Sequence, residues 1–142
     1  MAIVLGQKIV TDTKTYNDYA VGISLPIQVT NVAFTQTFQT IDQLKSNIKN
    51  LLLTVRGERM MQPEFGSGLY ELLFEMNTDE FNQTVEDEIR TSLQRWLPIV
   101  TVDEVIVEES NVLRDTNQFN VSLKFSVGNS TELETVEFTV TE

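Results

Sequence analysis

The sequence predicts an α+β fold in which about three helices are followed by a small antiparallel β-meander, with an extended arm at the amino terminus. Three observations predict it. Apolar residues recur with helical spacing from Thr40 to Trp96, and they alternate with polar residues from Val100 to Val140. Before them, the chain carries only one short alternating run. We therefore expect an arm over residues 1–39 and a single α+β domain over residues 40–142.

The amino-terminal region is predicted to be an extended arm. Residues 1–19 have no clear period and are rich in Thr, Asp, Asn and Lys, so we expect contact with another chain to order them. Every second residue from Val21 to Val29 is apolar, which is a strand pattern. Pro26 restricts this run to a sheet edge or an extended segment. Phe34 and Phe38 are expected to pin the segment to the body of the protein.

Three helices are predicted next. The first covers about 40–54 and begins with a capping box formed by Thr40 and Gln43. A short second helix begins at Ser67, and a third is stopped by Pro98. Each helix carries an apolar stripe that we expect to be buried. The stripes are Ile41, Leu44, Ile48, Leu51 and Leu52; then Leu69, Leu72, Leu73 and Met76; then Phe81, Val85, Ile89, Leu93 and Trp96.

The period then changes from helical to alternating. One strand is predicted over Val100–Val107, with an irregularity near Asp103. The clearest strand of the chain is Phe119–Val127, after which Gly128 begins a turn. The last strand covers Val136–Val140. Because helices come first and strands follow, the class is α+β rather than α/β.

Composition excludes several classes of function. The chain has no histidine and no cysteine, so zinc sites and nucleophiles activated by histidine are excluded, and we predict no metal and no cofactor. A net charge of −11 disfavours binding to nucleic acid through phosphates. No apolar run approaches the length of a membrane span or a signal-peptide core, so we expect no membrane partner and a protein made in the cytosol.

Charge is unevenly distributed along the chain. Residues 99–142 contain nine acidic residues against Arg114 and Lys124. Residues 40–60 contain four basic residues against Asp42 and Glu58. One interpretation is an ordinary solvated acidic face, which keeps the protein soluble. The other is a polarised protein that meets different partners on its two sides.

The most unusual segment is TVRGERMMQPEFGSGLYELLFE, Thr54–Glu75. It holds three of the six glycines and one of the three prolines between two apolar runs. It is either a loop that performs chemistry or a rigid joint that fixes two helices and presents a docking surface. Chemistry would need a pair of carboxylates, such as Glu58 with Glu64 or Glu71 with Glu75. Among 21 acidic residues, however, chance pairs of this kind are unavoidable.

The joint interpretation gives a physical role to most of the unusual residues. Gly57 would end the first helix in a left-handed conformation. Pro63 would stiffen the linker, while Gly66 and Gly68 would allow a tight turn into the next helix. Phe65 is the large apolar residue of the turn and would anchor it. This interpretation explains more of the segment than catalysis does.

Arg59 is the cation at the centre of this segment. Its planar guanidinium carries five donors. Buried beside the turn, it would pair with backbone carbonyls or with a carboxylate. Exposed, it would be an ordinary surface charge. The sequence leaves both possibilities open.

Four short motifs resemble a known family. The chain reads IKNLLLT at 48–54, GER at 57–59, QPEFG at 62–66 and LLFE at 72–75. Together they are similar to the signature of the baseplate wedge proteins of contractile-tailed phages, the family of the sheath-polymerisation initiator, which phage tail-like secretion systems share. The similarity covers about 38–107. The resemblance implies that the docking joint is formed by the motif residues Gly57, Glu58, Arg59, Pro63, Phe65, Gly66, Gly68 and Leu69.

The resemblance implies a structural subunit of the virion tail baseplate, assembled in the host cytoplasm, and not an enzyme. Such a subunit binds other wedge subunits around the hub. Its meander would resemble the strand-exchange domain of tail sheath proteins and so initiate sheath polymerisation. The implied partners are wedge subunits and the sheath protein, with the hub or tail tube as a further candidate. Two alternatives are a lysozyme-like carboxylate hydrolase, a label given to some members, and a regulatory protein-binding domain of the host.

One motif departs from the family pattern. Members often carry Glu-Pro-Arg after the third helix, whereas this chain has Leu97-Pro98-Ile99, preceded by Trp96. The proline is kept and both charges are gone. A polar contact made there by relatives cannot be made by this chain. From the family we therefore infer only that this position contacts a partner. Because the charges are absent, we expect that contact to be apolar and to involve Trp96, Leu97, Pro98 and Ile99.

Overall fold

The computed structural model describes residues 19–25, 27, 35–74, 79–108, 118–128 and 131–141, with side chains for all of them except 79 and 80. Two compact units divide the chain, one ending at Lys49 and the other beginning at Asn50. Helices and antiparallel sheets occur among these residues, so the predicted α+β class is confirmed. No helix of the described part is long and apolar enough to cross a membrane.

The amino-terminal unit contains a short ladder and most of the first helix. Strand β1 (Gly22–Ile23) pairs antiparallel with β2 (Gln36–Thr37), and α1 (Thr40–Leu52) follows and continues into the second unit. The observed strand β1 is therefore shorter than the alternating run 21–29 from which a strand was predicted. At Leu25 the backbone leaves the ladder, because its N–H donates to the hydroxyl of Ser46 on α1 at 3.2 Å.

Helix α1 begins differently from the prediction. The carbonyl of Gln39 accepts the N–H of Gln43 at 3.2 Å, so Gln39 precedes the first turn. The side chain of Gln43 accepts from the Thr37 hydroxyl at 2.7 Å and donates to Asn47 at 2.8 Å. The predicted capping box with Thr40 is wrong, because Gln43 is committed to strand β2 and to the next helical turn.

Some predicted regions of the amino terminus lie outside the described residues. These are residues 1–18, Pro26 and the run 28–34, which includes Phe34. Ile27 is exposed, and Phe38 is half-buried. The extended arm over 1–39 therefore stays a prediction.

Two further helices belong to the second unit. Helix α2 (Leu69–Leu72) is a single turn, and α3 (Asp79–Trp96) ends two residues before Pro98, as predicted. The three predicted stripes are buried, apart from the half-buried Trp96 and from Met76, which lies outside the described residues. Helices α2 and α3 pack against each other. The apolar period therefore identified the inward face of each helix correctly.

The sheet consists of β3 (Val100–Glu108), β4 (Phe119–Val127) and β5 (Glu134–Val140), arranged antiparallel in the order β3-β4-β5. The predicted meander is confirmed. Its register shifts on either side of Asp103, which makes Asp103 the extra residue of a β-bulge and confirms the predicted irregularity. Glu134 extends β5 two residues beyond its prediction.

One face of the sheet forms the core of the second unit. Every second side chain of β4 is buried, and so are the inward side chains of β5. The rings of Phe81 on α3 and Phe119 on β4 meet edge to face, with centroids 5.6 Å apart. This contact joins the first turns of α3 to the first residue of β4. The opposite face of the sheet carries polar side chains, apart from the exposed Ile106.

Candidate functional site

The glycine-rich segment forms a loop between α1 and α2, and Ser67 closes its base. The buried hydroxyl of Ser67 donates to the carbonyl of Leu52 at 2.6 Å, and its N–H donates to the carbonyl of Thr54 at 2.9 Å. Ser67 also forms a parallel bridge with Val55. These bonds satisfy the carbonyl of Leu52, the last residue of α1, and that of Thr54 just beyond it. They also explain why α2 begins at Leu69 rather than at the predicted Ser67.

Two glycines of the loop have backbone conformations that disfavour other residues. Gly57 has φ +90° and Gly66 has φ +121°. A Cβ added at Gly66 would lie 2.4 Å from the carbonyl oxygen of Thr54, which is backbone and cannot easily move. The predicted need for glycine at 66 is therefore confirmed twice over, by conformation and by close approach.

Two other glycine assignments need correction. Gly57 does not cap α1, since the helix ends at Leu52; instead its N–H donates to the carbonyl of Pro63 at 2.8 Å and closes the loop. Gly68 has φ −88°, and a Cβ there would make only an ordinary contact of 3.5 Å with Glu88. The conformation at 68 therefore does not require glycine.

The tip of the loop carries two adjacent methionines. Met60 and Met61 are 96% and 95% exposed. The backbone beneath them is held by turns, in which Gln62 donates to the carbonyl of Arg59 at 3.1 Å and Phe65 donates to that of Gln62 at 3.0 Å. The loop therefore presents two long apolar side chains to solvent from a hydrogen-bonded base.

Arg59 and Phe65 form a stack that leads from the loop to the end of α3. The Arg59 guanidinium lies 4.0 Å from the centroid of the Phe65 ring, and its Nη2 donates to Oδ1 of Asn50 at 3.2 Å. Phe65 also meets Trp96 edge to face, with ring centroids 5.2 Å apart. Arg59 is half-buried, and its partners are the Phe65 ring and the side-chain amide of Asn50. The sequence had suggested backbone carbonyls or a carboxylate instead. Phe65 anchors the turn, as predicted.

Glu88 on α3 is a residue that the sequence did not identify. Its Oε1 accepts three hydrogen bonds, from the N–H of Gly68 at 2.9 Å, from Arg56 at 2.5 Å and from the Ser92 hydroxyl at 3.1 Å. One carboxylate thus joins both ends of the loop to α3. The available signal was weak: Glu88 precedes the buried Ile89 and lies one helical turn from Ser92.

The carboxylates considered for catalysis are engaged elsewhere or lie in solvent. Glu58 accepts the N–H of Val55 at 3.3 Å, and Glu64 forms an ion pair with Arg95. Both side chains are exposed, as is that of Glu71, while residue 75 lies outside the described residues. No cluster of acidic side chains able to hold a metal ion occurs in the described ranges.

The four residues predicted to meet a partner are Trp96, the last residue of α3, and Leu97, Pro98 and Ile99, which connect α3 to β3. The N–H of Leu97 donates to the carbonyl of Leu93 at 2.7 Å, which completes the last turn of α3. Pro98 is exposed, whereas Trp96, Leu97 and Ile99 are half-buried. Through the Phe65–Trp96 contact, this connection lies beside the base of the loop. Contact with a partner stays a prediction.

The fold is shared with solved structures from contractile systems. A protein from Geobacter sulfurreducens described as a tail lysozyme aligns with a TM-score of 0.64 and 19% identity, over 72% of this chain and 91% of its own. A chain of the anti-feeding prophage baseplate aligns at 0.62 and 20%, over 78% and 86%. A chain of the type VI secretion system baseplate complex aligns at 0.55 and 16%, over 71% and 92%. At these identities the likeness concerns the fold.

Sequence comparison identifies the family. No curated protein matches the chain significantly. Residues 39–131 match the sequence model of a family described as baseplate wedge protein gp25. This match spans the loop, the helices and most of the sheet, and it confirms the resemblance seen in the motifs. The chain belongs to the baseplate wedge protein gp25 family, a family of structural proteins of the tail baseplate.

Proposed function

We propose that this protein is a wedge subunit of a contractile-tail baseplate that binds other wedge subunits around the hub and initiates polymerisation of the tail sheath by accepting a strand from the sheath protein. It is assembled in the host cytoplasm, and its partners are wedge subunits, the sheath protein and the hub or tail tube. Residues 1–19, the first part of the predicted arm, contact a neighbouring subunit. The three-stranded meander, whose outer strands have no further strand partner among the described residues, carries the proposal.

The edges of the meander suit strand exchange. Because β4 lies in the middle, β3 and β5 each have one side without a strand partner among the described residues. Such a side offers a row of N–H and C=O groups to another chain. Main-chain pairing makes few demands on the partner's sequence, which suits a subunit that starts a polymer. Exposed carboxylates such as Glu108 and Glu137 favour a basic strand and discourage self-association.

The loop and the end of α3 suit the other task, which is to hold wedge subunits. Gly57 and Gly66 fix the backbone of the loop, and Glu88 fastens both of its ends to α3. On this base, Met60 and Met61 expose apolar surface that no described residue covers. A preformed apolar surface loses little conformational freedom on binding, which supports a docking role.

We infer a structural rather than a catalytic role for the acidic residues. A glycosidase holds two carboxylates on either side of the bound sugar. Glu58 and Glu64 are instead exposed, and each accepts a hydrogen bond from the protein itself. Purified protein should release no sugar from peptidoglycan. Activity that survives purification and is lost in Glu58→Gln or Glu71→Gln would favour the hydrolase alternative.

Hydrogen exchange can test both tasks on the full chain. Adding the sheath protein should slow amide exchange in an edge strand of the sheet, because strand addition protects its free N–H groups. Adding wedge subunits should slow exchange in residues 56–66 and around Pro98 instead. Protection by the sheath protein that leaves both edge strands unchanged would contradict strand exchange. Deleting β5 is a poorer test, since Val136, Phe138 and Val140 belong to the core.

A host regulatory domain is the remaining alternative. It predicts that the labelled protein stays with host proteins when cells are fractionated. The wedge proposal predicts instead that a label on this protein appears at one end of the tail in electron micrographs. Particles that carry no label at the tail end would contradict the wedge proposal.

A further inference from the structure

We propose that the incoming strand pairs with β5 and not with β3, because Arg90 and the bulge at Asp103 close the edge of β3. The inference rests on the proposed strand exchange and adds which of the two edges takes part. It also assigns Arg90 a role in specificity that neither its position in the sequence nor the family motifs indicate.

The pairing of β3 with β4 determines the direction of the Val102 carbonyl. The N–H of Gly128 donates to the carbonyl of Ile99 at 2.9 Å, so these two residues are a hydrogen-bonded pair. In antiparallel strands, hydrogen-bonded and non-hydrogen-bonded pairs alternate. The register is unbroken from Val100 to Val102. Val102, three residues beyond Ile99, therefore directs its N–H and C=O away from β4 and toward the free edge.

Arg90 occupies this edge position. Its Nη1 donates to the carbonyl of Val102 at 2.7 Å, and its Nη2 donates to that of Asp103 at 3.4 Å. Its Nε donates to Glu86, one turn earlier on α3, at 2.8 Å, which holds the guanidinium in place. The carbonyl that an incoming strand would need is already taken. The guanidinium also lies at this edge of β3, where an incoming strand would have to lie.

The bulge weakens the same edge further. Asp103 is the extra residue and divides β3 into 100–102 and 104–108. A bulge bends its strand and increases the local twist, so a regular strand cannot pair continuously across it. Bulges and covering side chains are the devices by which proteins protect exposed edges from unwanted pairing.

Strand β5 contains no such bulge. All seven residues from Glu134 to Val140 pair with β4 in one register. The inward side chains of β5 are buried, whereas Val105 and Val107 of β3 remain half-buried. A strand added to β5 would thus continue the sheet beside a strand whose inward side chains are already buried. The exposed Glu137 at its centre favours a lysine or arginine in the neighbouring strand.

Photo-crosslinking from matched threonines tests which edge is used. Thr135 on β5 and Thr101 on β3 are both exposed and lie on the same face of the sheet. A photoreactive residue at either position, in the full chain mixed with purified sheath protein, reports a strand beside it. A third photoreactive residue at Ile106 probes the part of β3 that follows the bulge. We expect crosslinks from Thr135 and none from Thr101 or Ile106.

The outcomes separate the inference from the proposal on which it rests. Crosslinks from Thr101 or Ile106, without Thr135, would overturn the choice of edge and leave strand exchange standing. Sheath that polymerises with no crosslink from any of the three positions would overturn strand exchange itself. In Arg90→Gln, crosslinks from Thr101 should appear. In Lys49→Gln, which changes the net charge equally, they should stay absent. A folded Arg90→Gln protein with no crosslink from Thr101 would overturn the role of Arg90.

Discussion

Replacing Gly66 by alanine should destabilise the protein far more than replacing Gly57 does. Both glycines lie in the same loop, and both have positive φ, +121° and +90°. They differ in their surroundings. A Cβ at Gly66 would lie 2.4 Å from the oxygen of Thr54, whereas one at Gly57 would meet no atom within 4 Å. The pair therefore separates the effect of a close approach from that of backbone conformation.

The expected magnitudes follow from these two effects. A non-glycine residue in a sparsely populated backbone region costs about 1–3 kcal/mol. Forcing an atom into packed space costs about 1–3 kcal/mol more. At Gly66 both apply, and moving the Thr54 carbonyl would also break its bond to the N–H of Ser67. We expect a loss of at least about 3 kcal/mol for Gly66→Ala. For Gly57→Ala, backbone strain alone predicts about 1 kcal/mol.

Denaturant unfolding of the two variants measures the difference. The free energy of unfolding of Gly66→Ala should lie about 2 kcal/mol or more below that of Gly57→Ala, with unchanged m-values. In thermal melts this corresponds to a gap of roughly 4–10 °C. Gly66→Val should be less stable still and should fail to assemble with wedge subunits. Equal losses for the two alanine variants would refute the close approach, and normal assembly of Gly66→Val would refute the rigid joint.

Three further predictions concern the same region. Glu88→Ala should lower the free energy of unfolding by about 1–3 kcal/mol, because the amide that precedes α2 loses its acceptor; a change within error in urea melts would contradict this. Leu97→Glu with Ile99→Arg should weaken a pull-down of wedge subunits, because unpaired charges are costly to desolvate; unchanged recovery would place these residues outside the interface. Met60→Ser with Met61→Ser should leave the melting temperature unchanged and reduce the same pull-down, since both side chains are almost fully exposed; a lowered melting temperature would mean that they pack in the folded protein.

Periodicity predicted the parts of the fold in which one face is buried. The strand Phe119–Val127 was predicted to the residue, because a sheet with one covered face imposes strict alternation. The bulge was predictable for the same reason. Val100 and Val102 are out of phase with Val105 and Val107, so one residue between them must be extra. Pro98 predicted where α3 ends, and helical spacing predicted which residues form the buried apolar stripes.

Polar side chains that act over long sequence distances were not predictable. Glu88 receives donors from the loop, Arg90 caps a carbonyl of β3, and Gln43 bonds to Thr37 of β2. In the sequence each resembles an ordinary polar residue on a helix. The capping box predicted at the start of α1 failed for this reason. A capping box is a local sequence pattern, but the side chain of Gln43 bonds to Thr37 of β2 instead. The short α2 is similar, since Ser67 bonds to α1 instead of starting a helix.

The distribution of polar groups in the loop favours a docking surface over a reaction centre. A reaction centre directs unsatisfied polar groups toward a substrate. Here Ser67, Arg59 and Glu88 direct their donors and acceptors into the protein and use them to hold the loop. The large apolar side chains exposed at the tip are Met60 and Met61, which have no acid–base chemistry and offer large, adaptable apolar surface. Glycine, proline and buried polar bonds therefore serve the same end in this segment. They fix the shape of a surface that we propose contacts another subunit through apolar side chains.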